Sequence, residues 1–149
     1  MSSTGIYVSR RKLKSVFFTQ MNKLINWDEI GVLIKQHYNK GFSLAGRPSY
    51  PGLLLFKMCL LQTWYGLSDY EVEEKVNDSL SFMQFVGLQL EDEVPDHSVI
   101  SRFRTALTKQ DAFEKIFEQI NVQLESKGLI VKTGAIVDAA VNPKEKQLM

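Results

Sequence analysis

With a single cysteine, Cys59, the 149-residue chain can form no intrachain disulfide and no cysteine-based zinc cluster. Its two histidines, His37 and His97, stand 60 positions apart and make no helical ligand pair. No run reaches the ~18 uncharged apolar residues that a membrane-spanning helix needs. The richest, residues 53–61, is too short and carries Lys57. The N-terminal stretch lacks a signal peptide's apolar block and small-residue cleavage site, so the expected location is the cytoplasm, with no membrane partner. A glycine-rich phosphate loop, a His/Cys cluster and a serine nucleophile elbow are also missing, which removes the enzyme classes built on them.

What remains is an ordinary globular composition, 44% hydrophobic and 23% charged. A chain of this length buries roughly 68–70% of its unfolded surface and needs no metal to fold. The net charge of +1 hides an asymmetry. Residues 1–47 carry eight basic side chains (Arg10, Arg11, Lys12, Lys14, Lys23, Lys35, Lys40, Arg47) against Asp28 and Glu29, a net +6. Residues 48–149 carry ten basic and fifteen acidic side chains, a net −5. A basic front section suits a polyanion such as nucleic acid, and equally a solvated tail.

Residues 1–16 show no apolar periodicity and read as a flexible basic arm. Residues 17–25 predict a short helix. Asn26 and Glu29 then have capping-box spacing, and Trp27, Ile30, Ile34 and Tyr38 share one helical face that ends at Lys40-Gly41. Residues 41–50 form a loop holding Gly46-Arg47-Pro48. Pro51 suits a first helical turn, and residues 53–61 are apolar nearly all round, the pattern of a buried central helix closed by Gly66. Ser68 and Glu71 cap the next helix, and Asp78-Ser79 open another with Leu80, Phe82, Phe85 and Val86 as its apolar set, ended by Gly87. An acidic loop, Glu91-Asp92-Glu93, leads to Pro95 and to Asp96 as N-cap of a helix with the stripe Val99, Ile100, Phe103, Leu107. Asp111 and Glu114 are expected to cap the last helix, which buries Phe113, Ile116, Phe117, Ile120 and Leu124 and stops at Gly128. Two β-type runs, 129–131 and 135–137, read as a hairpin or the start of a sheet, followed by a polar tail at Asn142-Pro143-Lys144-Glu145-Lys146. The expected fold is mainly α: a compact multi-helix domain over 17–128 with a helix-turn-helix-like portion, then a short, frayed β segment over 129–149.

Two places suggest chemistry. On the helix after Asp96, the residues Ser98, Ser101, Arg102, Thr105 and Lys109 face away from the apolar stripe. Small hydroxyls among cations suit phosphate contact, and the same pattern fits a solvated face. Arg104 lies nearer the apolar boundary, where a structural role fits, and His97 reads as a surface residue at the helix start. Asp138 ends an apolar strand. A carboxylate there is costly unless paired, hydrogen-bonded or metal-bound, and strand carboxylates are common Mg²⁺ ligands in phosphoryl transfer.

Taken in order, Gly46-Arg47-Pro48, the series from Leu53-Leu54-Leu55 through Lys57, Cys59-Leu60-Leu61-Gln62 and Trp64-Tyr65-Gly66-Leu67-Ser68-Asp69, then Ser81-Phe82, Phe85, Gly87-Leu88, Pro95-Asp96-His97-Ser98, Arg102-Phe103-Arg104 and Gly134, Ile136-Val137-Asp138-Ala139 resemble the N-terminal region of insertion-sequence-five (InsH-like) transposases over residues 40–142. The resemblance implies an enzyme that cuts and joins DNA with a ribonuclease-H-like core, three carboxylates holding Mg²⁺, and Asp138 as the first of that DDE triad. The chain ends 11 residues after Asp138, before the other two, so it is expected to be a truncated transposase. Its expected role is DNA binding at the element's terminal inverted repeats and subunit association as a homo-oligomer. It would be inactive alone, with no cofactor of its own. The residues expected on DNA are Arg10, Arg11, Lys12, Lys14, Arg47, Arg102 and Lys109. A split enzyme completed by a second chain and an interaction module without DNA are the alternatives.

Overall fold

The computed structural model describes residues 16–38, 50–132 and 135–138. The basic arm with Arg10, Arg11, Lys12 and Lys14, the loop carrying Arg47, and the polar tail lie outside the described residues. Residues 16–24 are helical, α1. There follow α2 (Trp27–Lys35), α3 (Gly52–Tyr65), α4 (Asp69–Asp78), α5 (Leu80–Val86), α6 (His97–Lys109) and α7 (Phe113–Glu125), then β1 (Leu129–Lys132) and β2 (Ala135–Asp138). The mainly helical class with a short β segment is as expected.

The centre of the fold is α3, whose Leu54, Leu55, Phe56, Met58, Cys59, Leu60 and Leu61 are all buried. Helix formers without β-branching (Leu, Met, Lys, Gln) dominate the segment, and helices α2, α4, α5 and α6 pack around it. Pro51 takes the N-cap position, one residue earlier than the expected first turn. Gly66 ends α3 at φ 65°, a left-handed conformation that glycine adopts without strain, and its N–H returns to the Gln62 carbonyl. At the other end, a Cβ on Gly52 would stand 2.6 Å from Ile34 Cγ2 and 3.0 Å from Tyr38 Cδ2, so the approach of α2 to α3 requires glycine there.

The caps differ in completeness. Ser68 and Glu71 form a reciprocal box, Ser68 N–H to Glu71 Oε1 at 2.8 Å and Glu71 N–H to Ser68 Oγ at 3.1 Å. Asn26 accepts from the Glu29 N–H at 3.2 Å, but its own N–H donates to Gln123 Oε1 on α7 at 2.7 Å, so a long-range bond replaces half of the expected box. The helix it opens stops at Lys35, short of Lys40. The expected Asp111/Glu114 cap does not form. Asp111 sits at φ 55°, Ala112 holds the N-cap position of α7, and no side chain caps that helix. Leu80, assigned to the core of α5, is 59% exposed; Phe82, Met83, Phe85 and Val86 fill that place instead.

Ser79 alone separates α4 from α5, while residues 87–96 join α5 to α6. That connection is longer than the three or four residues of a helix-turn-helix turn. It is α4 that lies against α6. The hairpin pairs Leu129 with Asp138, Ile130 with Val137, Val131 with Ile136 and Lys132 with Ala135. Leu129, Val131 and Ile136 pack against the helical core, so the β segment is seated on the same body.

Candidate nucleic-acid interface and the ion pair behind it

Helix α6 begins where the Asp96 carboxylate accepts from the N–H groups of Ser98 and Val99 at 2.9 and 3.0 Å, satisfying donors a helix start leaves open. The Ser98 hydroxyl donates to the same oxygen at 2.6 Å. These bonds, the hydroxyl's first, hold the Asp96 carboxyl below its usual range. One side of α6 then buries Ile100, Phe103 and Leu107. The opposite side exposes Arg102, Thr105 and Lys109, with Ser98 and Ser101 half-buried at its margin. Ser98 is thus engaged in the cap. Lys109 stands in the last turn, where a cation is favoured by the helix dipole.

Arg104 turns the other way. Its Nη1 donates to Gln62 Oε1 and to Asp69 Oδ1, both at 2.9 Å, and its Nη2 donates to Asp69 Oδ2 at 3.0 Å. The Gln62 amide nitrogen closes the triangle on Asp69 Oδ1 at 2.7 Å. Three helices, α3, α4 and α6, are tied by one planar fork on a carboxylate. The hydrogen bond from Arg104 holds the Asp69 carboxyl below its ordinary range, and Asp69 raises Arg104 in turn. An open cavity of about 430 Å³ lies over this cluster, lined by Cys59, Thr63, Ser68 and Phe113 among others. Burial pushes the Cys59 thiol at its floor up to about 12.

A second clip joins α4 to α6. Glu73 Oε1 accepts from the His97 N–H at 2.8 Å and stands 3.1 Å from His97 Nδ1, while Tyr70 stacks on the imidazole at a centroid distance of 3.9 Å. His97 is therefore a half-buried bridging residue. The ordered motif around positions 96–98 contained that histidine, but its partners on α4 had no sequence signal beyond their helical spacing. The same holds for Lys57, whose Nζ donates to the Phe85 carbonyl at 3.1 Å in the last turn of α5 and lies 4.4 Å from the Trp27 ring centroid and 4.9 Å from that of Phe85. Burial pushes its ammonium down to about 8.

Asp138 is exposed at the end of β2, opposite Leu129. Strand alternation places it on the hairpin face that carries Ile136, at the rim of the core contact. Among the described residues no group of three or more His, Cys, Asp or Glu side chains could hold a metal ion. Asp138 alone does not make a Mg²⁺ site. Nor is any helix among them long and apolar enough to cross a membrane.

A helical scaffold locked by one arginine and presenting a second, cationic face of the same helix is the class that these residues define. The chain belongs to the family described as Transposase domain (DUF772), which matches residues 7–106. The match covers α1 to α5 and most of α6, and stops before α7 and the hairpin. No solved structure matches the chain.

Proposed function

We propose that this transposase-family domain is the DNA-binding and subunit-association part of an insertion-sequence-five (InsH-like) DDE transposase, unable to cut or join DNA alone. One observation carries the reading: α6 draws Arg104 inward to Asp69 and leaves Arg102, Thr105 and Lys109 exposed on the opposite face. An exposed arginine without a hydrogen bond or ion pair among the described residues, beside a hydroxyl and a lysine one and two turns along, suits a phosphate backbone. The basic N-terminal segment supplies further charge toward the terminal inverted repeats. Subunit association is supported by the two-stranded sheet, whose outer edges are unpaired among the described residues. Mg²⁺ would join Asp138 only if further carboxylates came from a complete core or a second chain.

Titration of duplex DNA at several salt concentrations tests the reading. Each phosphate contact removed lowers the magnitude of the log K against log salt slope by about 0.9, so Arg102→Ala loses about that much and deletion of residues 1–15, with four basic side chains, up to about 3–4. An unchanged slope in both variants would leave association without DNA as the better reading.

A further inference from the structure

The residues just after α2 meet α6 at the margin between its buried and exposed sides. Tyr38 meets Phe103 edge-on at a centroid distance of 4.9 Å and lies within the field of Arg102. Next to it, His37 is clipped to Gln110, the residue after Lys109. The Gln110 amide nitrogen donates to the His37 carbonyl at 2.8 Å and to the Ala106 carbonyl at 3.3 Å. A carbonyl cannot donate, so the NH₂ end of the amide must face both of them. The amide oxygen is then the end that stands 3.2 Å from His37 Nδ1. An oxygen can only accept, so Nδ1 carries a hydrogen in the neutral and in the charged imidazole alike.

The consequence falls on Nε2. Neutral His37 presents a lone pair there, and no side chain among the described residues engages it. A lone pair repels a phosphate oxygen. Protonation turns the same atom into a donor and adds a positive charge next to Gln110, which follows Lys109, and next to Tyr38, which the Arg102 charge reaches. The other charged groups on the elements that meet here are Asp28, Glu29 and Lys35 on α2, Arg104 on α6, which is paired with Asp69, and Asp111 in the turn after α6. Of the side-chain types gathered here, the imidazole is the one whose ordinary pKa lies in the neutral range.

We infer that His37 is a DNA-phosphate contact that operates only when its imidazole is protonated, with Gln110 setting that condition by fixing the tautomer. The inference rests on the DNA-binding reading above and adds to it a pH dependence and a residue that the sequence did not single out for DNA contact. By linkage, DNA bound at this face raises the proton affinity of His37.

The test compares salt titrations of the full chain on a random-sequence duplex at about pH 6 and about pH 8, which bracket the ordinary range of histidine. For the wild type the slope is expected to be steeper at the lower pH by about 0.9, one phosphate contact. His37→Gln is expected to remove that difference; a difference that survives the substitution undiminished overturns the inference. Gln110→Met keeps the imidazole and frees its tautomer, and is expected to shrink the difference by improving binding at the higher pH. Ring-nitrogen NMR of the wild type gives a readout independent of any variant: the neutral imidazole is expected as the Nδ1–H form, titrating at higher pH when DNA is added. An Nε2–H form, or a wild-type slope equal at both pH values, overturns the inference and leaves DNA binding standing. Absence of salt-dependent binding at both pH values overturns the DNA-binding reading and this inference with it.

Discussion

Arg102 and Arg104 are two residues apart on α6 and do opposite jobs. At 100° per residue they diverge by most of a half-turn, enough for one to reach Asp69 and the other to face water. Replacing Arg104 by lysine removes the planar fork, and a single ammonium cannot serve both Asp69 oxygens and Gln62. For a pair that is partly exposed, the expected loss is about 1–3 kcal/mol, read by chemical denaturation. Asp69 sets a pH window as well. Its carboxyl is held below the ordinary value in the folded chain, so its contribution is complete above about pH 4 and fades as pH falls through the depressed value. Asp69→Asn is therefore expected to be less stable than wild type at neutral pH, with the gap narrowing in acid. Lys57 runs the other way along the scale. Its ammonium is pushed down to about 8, so between that pH and the ordinary lysine value the unfolded chain binds more protons than the folded one. Stability credited to Lys57 rises with pH across that window and is flat, at its lowest, below it. Cys59 and Tyr65, both pushed up to about 12, act in the opposite sense once the unfolded thiol and phenol ionise. The clean observation is the difference between wild type and Lys57→Met at about pH 7 and about pH 9, which is expected to shift in favour of wild type as pH rises. A constant difference would show that the Phe85 carbonyl and the two rings fully replace the lost water.

Among the elements, the helices whose signals are local were legible and those with long-range competitors were not. Ser68 and Glu71 find each other within one turn, so sequence spacing was enough. Asn26 offered the same spacing, but Gln123, 97 residues away, takes its N–H, and spacing carries no information about that. Asp111 failed as a cap because the chain must reverse between α6 and α7, and the residue that absorbs the turn at φ 55° cannot also take the extended conformation of an N-cap. Leu80 was misplaced because the apolar set of a seven-residue helix gives too little periodicity to fix a face. The site shows the same division. The exposed stripe of α6 followed from helical period alone, whereas Gln62, Asp69 and Arg104 come from three helices and meet only in the fold. The hairpin sits between these cases: its strands were readable, its seat on the core was not. Two strands with three core-facing apolar residues have few contacts to lose. Amides of residues 129–138 are expected to exchange faster than those of α3, with protection concentrated at the paired positions; equal protection in both would show that the hairpin opens only with the whole domain.

At the scale of the whole molecule, the acidic excess of residues 48–149 and the basic excess of 1–47 meet in a chain of almost no net charge. The central helix α3, against which α2, α4, α5 and α6 pack, also holds the chain's single thiol. Cys59 is 1% exposed, lies behind Arg104 and is pushed well away from the thiolate form. The open cavity over it leaves the thiol almost no exposed surface and burial keeps it protonated, so a thiol reagent is expected to react with it far more slowly in the folded chain than in the unfolded one. With one cysteine there is no second signal to subtract, so the rate of labelling, compared with that of the unfolded chain, measures that protection directly. The same chain thus carries its own gauge of core integrity, which is expected to read faster when Arg104 loses its grip on Asp69.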